Sequence, residues 1–232
     1  MHSERASSVR YSTLVLCLGA AAAVGGENVR ADDRKLEPGF VFLFDGKSLD
    51  GWEGNLKMFR VADGAIVAGS QQERIPNNEF LCTKKKYSDF ELRLQAKLVG
   101  TGKNAGIQFR SERIPNHHEV IGFQADIGVS GKDHLIWAAL YDESRRRKFL
   151  AEGDQDELKK VVKPDEWNDF VIRCEGPHIQ IRVNGYLAVD YVEKEDDIAT
   201  SGVIGLQIHS GEPAEGSYRR IRIKELKSDS SN

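Results

Sequence analysis

The sequence predicts an all-β protein, built as a sandwich or a barrel of antiparallel strands. Short segments alternate apolar and polar residues, which is the pattern of half-buried strands, and turn residues separate them. Only residues 154–162 predict a helix, which Pro164 ends. The chain has 232 residues, and residues 38–227 contain no repeat of solenoid length and no low-complexity linker. We therefore expect one domain over 38–227, followed by a short tail at 228–232.

The alternation places the strands individually. The predicted strands are residues 40–44, 90–98, 105–111, 120–127, 169–175, 178–183, 201–209 and 218–226. Asp63-Gly64 and Asn184-Gly185 are turn signals, and the second predicts a two-residue hairpin because such turns favour residues that adopt positive φ. Cys82 and Cys174 lie in strand-like runs, so buried free thiols are expected rather than a disulfide.

The first 31 residues predict a signal peptide. Arg5 and Arg10 precede the apolar run 14–26, and Val29-Arg30-Ala31 offers small residues for a signal peptidase. A membrane anchor is the alternative, but the run is shorter than the ~20 apolar residues that cross a bilayer. We therefore expect cleavage after Ala31, export to the periplasm or the medium, and no stable membrane insertion afterwards.

The charge of the chain excludes one class of partner. The formal net charge is −3, with both signs interspersed, so no basic footprint for nucleic acid is present. No nucleic-acid partner is expected. No predicted strand has an obvious long apolar exposed edge, so the sequence predicts no particular oligomeric state.

One five-residue pattern occurs three times, as GIQFR at 106–110, GFQAD at 122–126 and GLQIH at 205–209. Strand parity places three pairs of an amide and an ionisable group on the face away from the core: Gln108 with Arg110, Gln124 with Asp126, and Gln207 with His209. Amides match the donors and acceptors of sugar hydroxyls, and the leading glycines would let a ligand approach the backbone. We expect one polar hollow. Ordinary solvent-facing residues are the alternative.

Longer motifs in the chain resemble the 3-keto-disaccharide hydrolase family. They are LFDGKSLDGW (43–52), GFQADIG (122–128), WAALYDESRRR (137–147), EWNDFVIRCEG (166–176) and GVIGLQIHSG (202–211). The resemblance covers nearly all of residues 38–227. It implies a concanavalin-like jelly roll of two antiparallel sheets, export, and a small-molecule carbohydrate substrate whose ring is oxidised at C3.

The chain departs from the family pattern at one position. Many relatives carry G-Y-E-V-Q-I-x-D, whereas this chain has Gly122 where that motif has glutamate, two places before Gln124. The role of that glutamate therefore does not transfer to residue 122. Glu119 or Glu143 could substitute for it.

The implied elimination requires a base for the C2 proton, a stabiliser for the enolate and an acid for the leaving group. Asp126 or His209 is expected as the base, Arg110 as the stabilising cation and Glu143 as the acid. Direct hydrolysis by Asp126 and Glu143 is a second mechanism. The structural alternatives are an Arg110–Asp126 ion pair and a His209 that caps a strand end. A non-catalytic carbohydrate-binding module on the same scaffold is the alternative function.

The run WAALYDESRRR adds candidates for substrate binding. Trp137 and Tyr141 share strand parity, and an aromatic face can stack on a pyranose ring. Arg145 or Arg146 could bind hydroxyls or a carboxylate from the rim. The alternatives are core packing for Trp137 and a solvated loop for the charged run.

His117-His118-Glu119 raises the question of a metal. Adjacent strand residues point to opposite faces, so His117 and His118 could bind one ion only on a loop. A zinc site also requires three or four ligands in fixed geometry, and no calcium-loop spacing occurs. We expect no metal and no cofactor, and His118 is included with the substrate-binding candidates.

Overall fold

Two antiparallel β-sheets packed face to face make up residues 36–227, the part of the chain that the computed structural model describes. This confirms the all-β jelly-roll sandwich. The predicted signal peptide and the tail at 228–232 lie outside the described residues. Within residues 36–227, no helix is long and apolar enough to cross a membrane.

The strands are, in chain order, β1 (Val41–Phe42), β2 (Trp52–Glu53), β3 (Phe59–Ala62), β4 (Ala65–Ser70), β5 (Glu79–Tyr87), β6 (Phe90–Gly100), β7 (Asn104–Arg113), β8 (Val120–Ser130), β9 (His134–Leu135), β10 (Leu140–Glu143), β11 (Phe149–Ala151), β12 (Asn168–Glu175), β13 (His178–Val183), β14 (Tyr186–Val192), β15 (Gly202–Ile208) and β16 (Ala214–Glu225). Sheet I has the order β14-β13-β12-β6-β16-β4-β3, with β1 beside β16. Sheet II has the order β11-β10-β8-β7-β15-β5-β2, with β9 beside β8. Each of the eight predicted strands overlaps a strand of these sheets, and residues 40–44 do so only at Val41–Phe42.

The alternation in sequence produces the core between the sheets. In β6, for example, Phe90, Leu92 and Leu94 are buried and the residues between them are partly exposed. Removing such side chains from water stabilises the fold by roughly 1.5–3 kcal/mol each. Cys174 belongs to this core and Cys82 to a smaller cluster outside it, and both are free buried thiols, as expected.

Local signals fix the short connections. Asn184 and Gly185 have φ of 48° and 85°, which is the predicted two-residue hairpin between β13 and β14. The only helix among the described residues, α1 (Gln155–Val161), begins at the N-cap Asp154, whose carboxylate accepts backbone N–H bonds. Leu158 anchors α1 in the core.

The hairpin of β7 and β8 bends sharply where the two strands lose register between Phe109 and Glu112. Arg110 has φ of 46° there, and Gly122 on the opposite strand has φ of 151°. A methyl group on Gly122 would overlap the hydroxyl of Ser111, so the bend requires glycine.

Beyond the bend, residues 112–121 form a tip that folds back over the outer face of sheet II, the face turned away from sheet I. Val120 packs there against Phe80, Cys82 and Val203. The guanidinium of Arg113 donates to the carbonyls of Glu53 and Phe80, at 3.4 and 3.3 Å. The tip therefore crosses β15 and reaches β5 and β2. Residues 112–121 thus cover part of the outer face of sheet II, and we call them the roof.

The bend also redirects Arg110, and this overturns one expectation from the sequence. Its side chain donates to the carbonyls of Ser88 (2.8 Å) and Gly176 (2.6 Å) and to the carboxylate of Asp89 (2.9 Å). These partners lie in the turns that follow β5 and β12. The positive φ of Arg110 breaks strand parity, so the side chain closes one end of the sandwich instead of joining Gln108 on the outer face.

We predict that Arg110→Met destabilises the protein by about 3 kcal/mol or more, because it leaves the partners of a buried charge unpaired. Urea unfolding monitored by circular dichroism measures this loss. Arg74→Met is the matched control, since it removes an exposed ion pair with Glu212 and should cost less than about 1 kcal/mol. Equal losses in the two variants would contradict the structural role of Arg110.

Candidate functional site

Two rows of side chains cross the outer face of sheet II. In the first row Gln108, Gln124, Tyr141 and Phe149 stand opposite one another on β7, β8, β10 and β11. In the second row Gln207, Gly106 and Asp126 are opposite one another on β15, β7 and β8. The repeated pattern of the sequence thus lies on adjacent strands of one face, but Gln207 is one row away from the other two glutamines.

Two of the three glycines of the pattern, Gly106 and Gly205, make room for glutamine side chains, whereas Gly122 makes room for Ser111. A methyl group on Gly106 would overlap the amide of Gln124, and one on Gly205 would lie only 3.0 Å from the Cβ of Gln108. Each of these two glycines therefore makes room for a glutamine side chain of the neighbouring strand. The expectation that these glycines open the backbone to a ligand is replaced by this packing role.

A cavity of about 360 Å³ opens on this face, beside the roof. It is lined by Asn78, Asn104, Glu119, Gln124, Asp126, Tyr141, Glu143, Ser144, Arg147, Phe149 and His209. Most of these side chains are polar. The rings of Tyr141 and Phe149 pack edge to face, with their centroids 5.2 Å apart. A cavity of this size with polar floor and aromatic edge suits a polyhydroxylated ring.

Asp126 is the buried acid of this cavity. Burial raises the pKa of its carboxyl to about 8, against the hydrogen bond that Gln124 donates to Oδ1, and the charges of Glu143 and Glu152 raise it further. The side chain is therefore a neutral acid at neutral pH. A carboxyl group that retains its proton can donate a proton or a hydrogen bond to a ligand.

Glu143 and His209 lie on the more open parts of the cavity wall. Burial and the nearby charge of Glu119 raise the pKa of Glu143, while His209 lowers it. His209 is held by a 2.7 Å contact between Nδ1 and the carbonyl of Ser210. Glu143 and His209 thus interact electrostatically, and both are candidates to exchange a proton with a bound molecule.

The roof supplies one wall of the cavity. Asn78 donates to Glu119 at 3.2 Å, and Nδ1 of His118 lies 3.0 Å from the carbonyl of Asn78. His118 itself stacks on His117 and does not line the cavity. No group of His, Cys, Asp and Glu side chains within residues 36–227 is arranged to hold a metal ion.

The structure brings together only part of the predicted site. The predicted residues that line the cavity are Gln124, Asp126, Tyr141, Glu143 and His209, together with Glu119, which was named as a substitute for the family glutamate. Gln108 and Gln207 lie on the outer face of sheet II, but their side chains are fully buried and do not line the cavity. The amide atoms of Gln207 have no hydrogen-bond partner among the described residues.

Trp137 is a core residue, which corrects its assignment to the sugar-binding face. Its ring stacks on Phe170 with centroids 6.1 Å apart, and only 4% of the residue is exposed. Ala138 has φ of 62°, so parity is lost between Trp137 and Tyr141. Tyr141 alone of the two faces the cavity.

Arg145 and Arg146 are also placed differently from the expectation. Both bind the fully buried carboxylate of Asp142, and Arg145 stacks over the ring of Phe123 at 4.8 Å. Arg146 further donates to Glu193, at 3.2 Å through Nη1. Neither arginine reaches the cavity, because Asp142 points to the opposite face of β10 from Tyr141 and Glu143.

Several cavity residues have no signal in the sequence. Asn78, Asn104, Ser144, Arg147 and Phe149 lie at strand ends or in connections, where no periodic pattern predicts direction. Arg147 is the arginine that lines the cavity, in place of Arg110. The buried Oδ1 of Asn104 has no partner among the described residues, so it can accept a hydrogen bond from a ligand.

Comparisons with known proteins agree with this architecture. The model of the 3-keto-alpha-glucoside-1,2-lyase-like domain family matches residues 39–224. No curated protein shows significant similarity to the chain.

Solved structures with similar folds include two candidate glycosyl hydrolases from Parabacteroides distasonis. One is 18% identical with a TM-score of 0.61, covering 82% of this chain and 94% of that chain. The other is 24% identical with a TM-score of 0.58, covering 81% and 99%. The carbohydrate-binding module CBM66 from Bacillus subtilis is 15% identical with a TM-score of 0.57, covering 75% and 96%. At these identities the likeness establishes the fold alone.

The pKa of Asp126 predicts a pH dependence of stability. Between about pH 4, the ordinary range of aspartate, and pH 8, the folded state retains a proton that the unfolded state has released. The stability contributed by this group is therefore complete below about pH 4 and lost as the pH rises through 8. We expect the free energy of unfolding of the wild type to fall relative to Asp126→Asn between pH 5 and 8.

Urea unfolding at pH 5, 6.5 and 8 measures this difference. Asp45→Asn is the control, because Asp45 is exposed and the backbone N–H groups of Ser48 and Lys47 lower its pKa, so its contribution changes only on acidification. A difference between wild type and Asp126→Asn that does not vary with pH would contradict the elevated pKa.

Proposed function

The chain belongs to the 3-keto-alpha-glucoside-1,2-lyase-like domain family, and from this membership we propose that it cleaves the glycosidic bond of 3-keto-glycosides or 3-keto-disaccharides. The observation that carries the proposal is the buried carboxyl group of Asp126, whose pKa burial raises, in a polar cavity that also contains Glu143 and His209. The size of the cavity suits one sugar ring.

The proposed reaction is an elimination followed by hydration. The C3 ketone acidifies the proton on C2, and a base that removes it generates an enolate. The enolate expels the oxygen at C1, which leaves with a proton from an acid. Water then adds across the resulting enone, so the net change is hydrolysis.

The environment of each group suggests its role. Asp126 retains its proton at neutral pH, so we assign it as the acid instead of the base. Glu143 and His209, on the more open wall, are then the candidates for the base. Arg147, the arginine of the cavity, replaces Arg110 as the cation that can stabilise the enolate.

Substrate binding is assigned to the remaining cavity residues. The edge-to-face pair of Tyr141 and Phe149 offers an apolar surface on which a pyranose ring can stack. Asn78, Asn104 and Gln124 provide amide groups that can both donate to and accept from hydroxyls.

A non-catalytic carbohydrate-binding module is the second candidate. The unpartnered amide atom of Asn104 and the aromatic pair would suffice to bind a sugar without chemistry. Direct hydrolysis by Asp126 and Glu143 is a third possibility, and it differs in requiring no ketone on the ring.

We also propose that the protein is exported, because Arg5, Arg10 and the apolar run 14–26 have the order of a signal peptide. Edman sequencing of the mature protein beginning at Asp32 would support this proposal.

The decisive experiment offers the protein a 3-keto-glycoside and its unoxidised parent, and follows release of the aglycone. We expect release from the 3-keto substrate alone, and a loss of about 10²-fold or more in kcat for Asp126→Asn, since general acid catalysis typically contributes this much. Glu143→Gln should lose a comparable factor if Glu143 is the base.

Asp190→Asn, an exposed change on sheet I, is the matched control and should retain wild-type activity. Binding of sugars without release of any aglycone would favour the carbohydrate-binding module. Equal release from the unoxidised parent would favour direct hydrolysis.

A further inference from the structure

A continuous chain of buried hydrogen bonds leads from the bend of the β7–β8 hairpin to Asp126. Ser111 Oγ donates to Oε1 of Gln108 (2.6 Å), and Nε2 of Gln108 donates to Oε1 of Gln124 (2.7 Å). Nε2 of Gln124 then donates to Oδ1 of Asp126. All four residues are at most 3% exposed. Every bond has the same direction, so the chain ends with an N–H group presented to the carboxyl.

We propose that Gln108 and Ser111 are positioning residues for Asp126. They fix the amide of Gln124 with its N–H toward Oδ1, which leaves Oδ2 as the oxygen that carries the exchangeable proton. Neither Gln108 nor Ser111 lines the cavity, so they act through Gln124 and not on a ligand. The inference rests on the proposed function for its catalytic meaning, but the hydrogen-bond chain exists independently of the reaction.

The direction of the hydrogen-bond chain affects the pKa of Asp126. An N–H donated to a carboxyl stabilises the charged form and so opposes the effect of burial. Without Gln108, the amide of Gln124 loses the partner that fixes its orientation. Its carbonyl can then turn to Asp126, where it can accept a hydrogen bond only from the protonated acid. Breaking the chain therefore favours the neutral form.

Two glycines make room for the hydrogen-bond chain, and several charged groups lie near its end at Asp126. Gly106 and Gly205 provide the space in which the two glutamine side chains lie across the strands. The other titratable or charged groups that face Asp126 or share its cavity are Glu143, Glu152, Tyr141, Glu119, His209 and Arg147. All of them are retained when Gln108 or Ser111 is changed, so a shift in the titration of Asp126 reports on the chain.

The test is a carbon-13 NMR titration of aspartate carboxyl groups in the protein, with the Asp126 signal assigned by its loss in Asp126→Asn. We expect the midpoint of Asp126 to rise by about one pH unit in Gln108→Met and by less in Ser111→Ala, because one hydrogen bond to the charged form is weakened. Gln180→Met is the matched control. It removes a similar bond, from Gln180 to Asp190 at 2.9 Å, on the exposed face of sheet I.

An unchanged Asp126 midpoint in both variants, equal to that of Gln180→Met, would overturn the proposal. If Gln108→Met does not fold, Ser111→Ala decides the question, because it removes only a hydroxyl group. The titration needs no substrate, so its result is separate from whether the protein cleaves 3-keto-glycosides. If activity is present, the same two variants should move the pH profile of kcat in the same direction as the NMR midpoint.

Discussion

The buried guanidinium of Arg110 joins three parts of the chain that are distant in sequence. It donates to the carbonyls of Ser88 and Gly176 and to the carboxylate of Asp89, and so ties the bend in β7 to two turns at one end of the sandwich. The candidate site depends on this interaction, since the bend directs residues 112–121 over the outer face of sheet II. A straight hairpin would leave that face flat and the cavity without its second wall.

The regular parts of the fold were predictable from the sequence. Alternation places residues such as Leu92 and Ile107 in the core wherever a strand is unbroken, and Asn184-Gly185 specifies its hairpin through positive φ. The prediction failed where a residue outside a recognisable turn, and other than glycine, adopts positive φ. Arg110 and Ala138 do so, and nothing in their side chains signals it. The assignments of Arg110 and Trp137 to the outer face were therefore wrong.

The residues of the candidate site likewise fall into a predictable group on unbroken strands and an unpredictable group in connections. Gln124, Asp126 and Tyr141 lie on unbroken stretches of β8 and β10, so their direction followed from parity. Asn78 and Arg147 lie in connections whose course is set by tertiary contacts. No local sequence pattern therefore predicts that both residues line the same cavity. The burial of Asp126 could not be predicted either, because it depends on the strands beside β8 and not on residues adjacent in sequence.

The roof and the floor of the cavity, which includes Gln124 and Asp126, both belong to the β7–β8 hairpin. The two parts differ in how much change their packing allows. The floor is fixed by interlocking glycines and glutamines, in which a single added methyl group would collide with a neighbour. Residues 114–119, in contrast, form the loop of the β7–β8 hairpin and carry the stacked pair of an exposed His117 and a partly exposed His118. Insertions or deletions in that loop would alter the height of the cavity while the reactive groups beneath keep their places. Evolution could thus adapt this scaffold to longer or branched ligands by changing one hairpin.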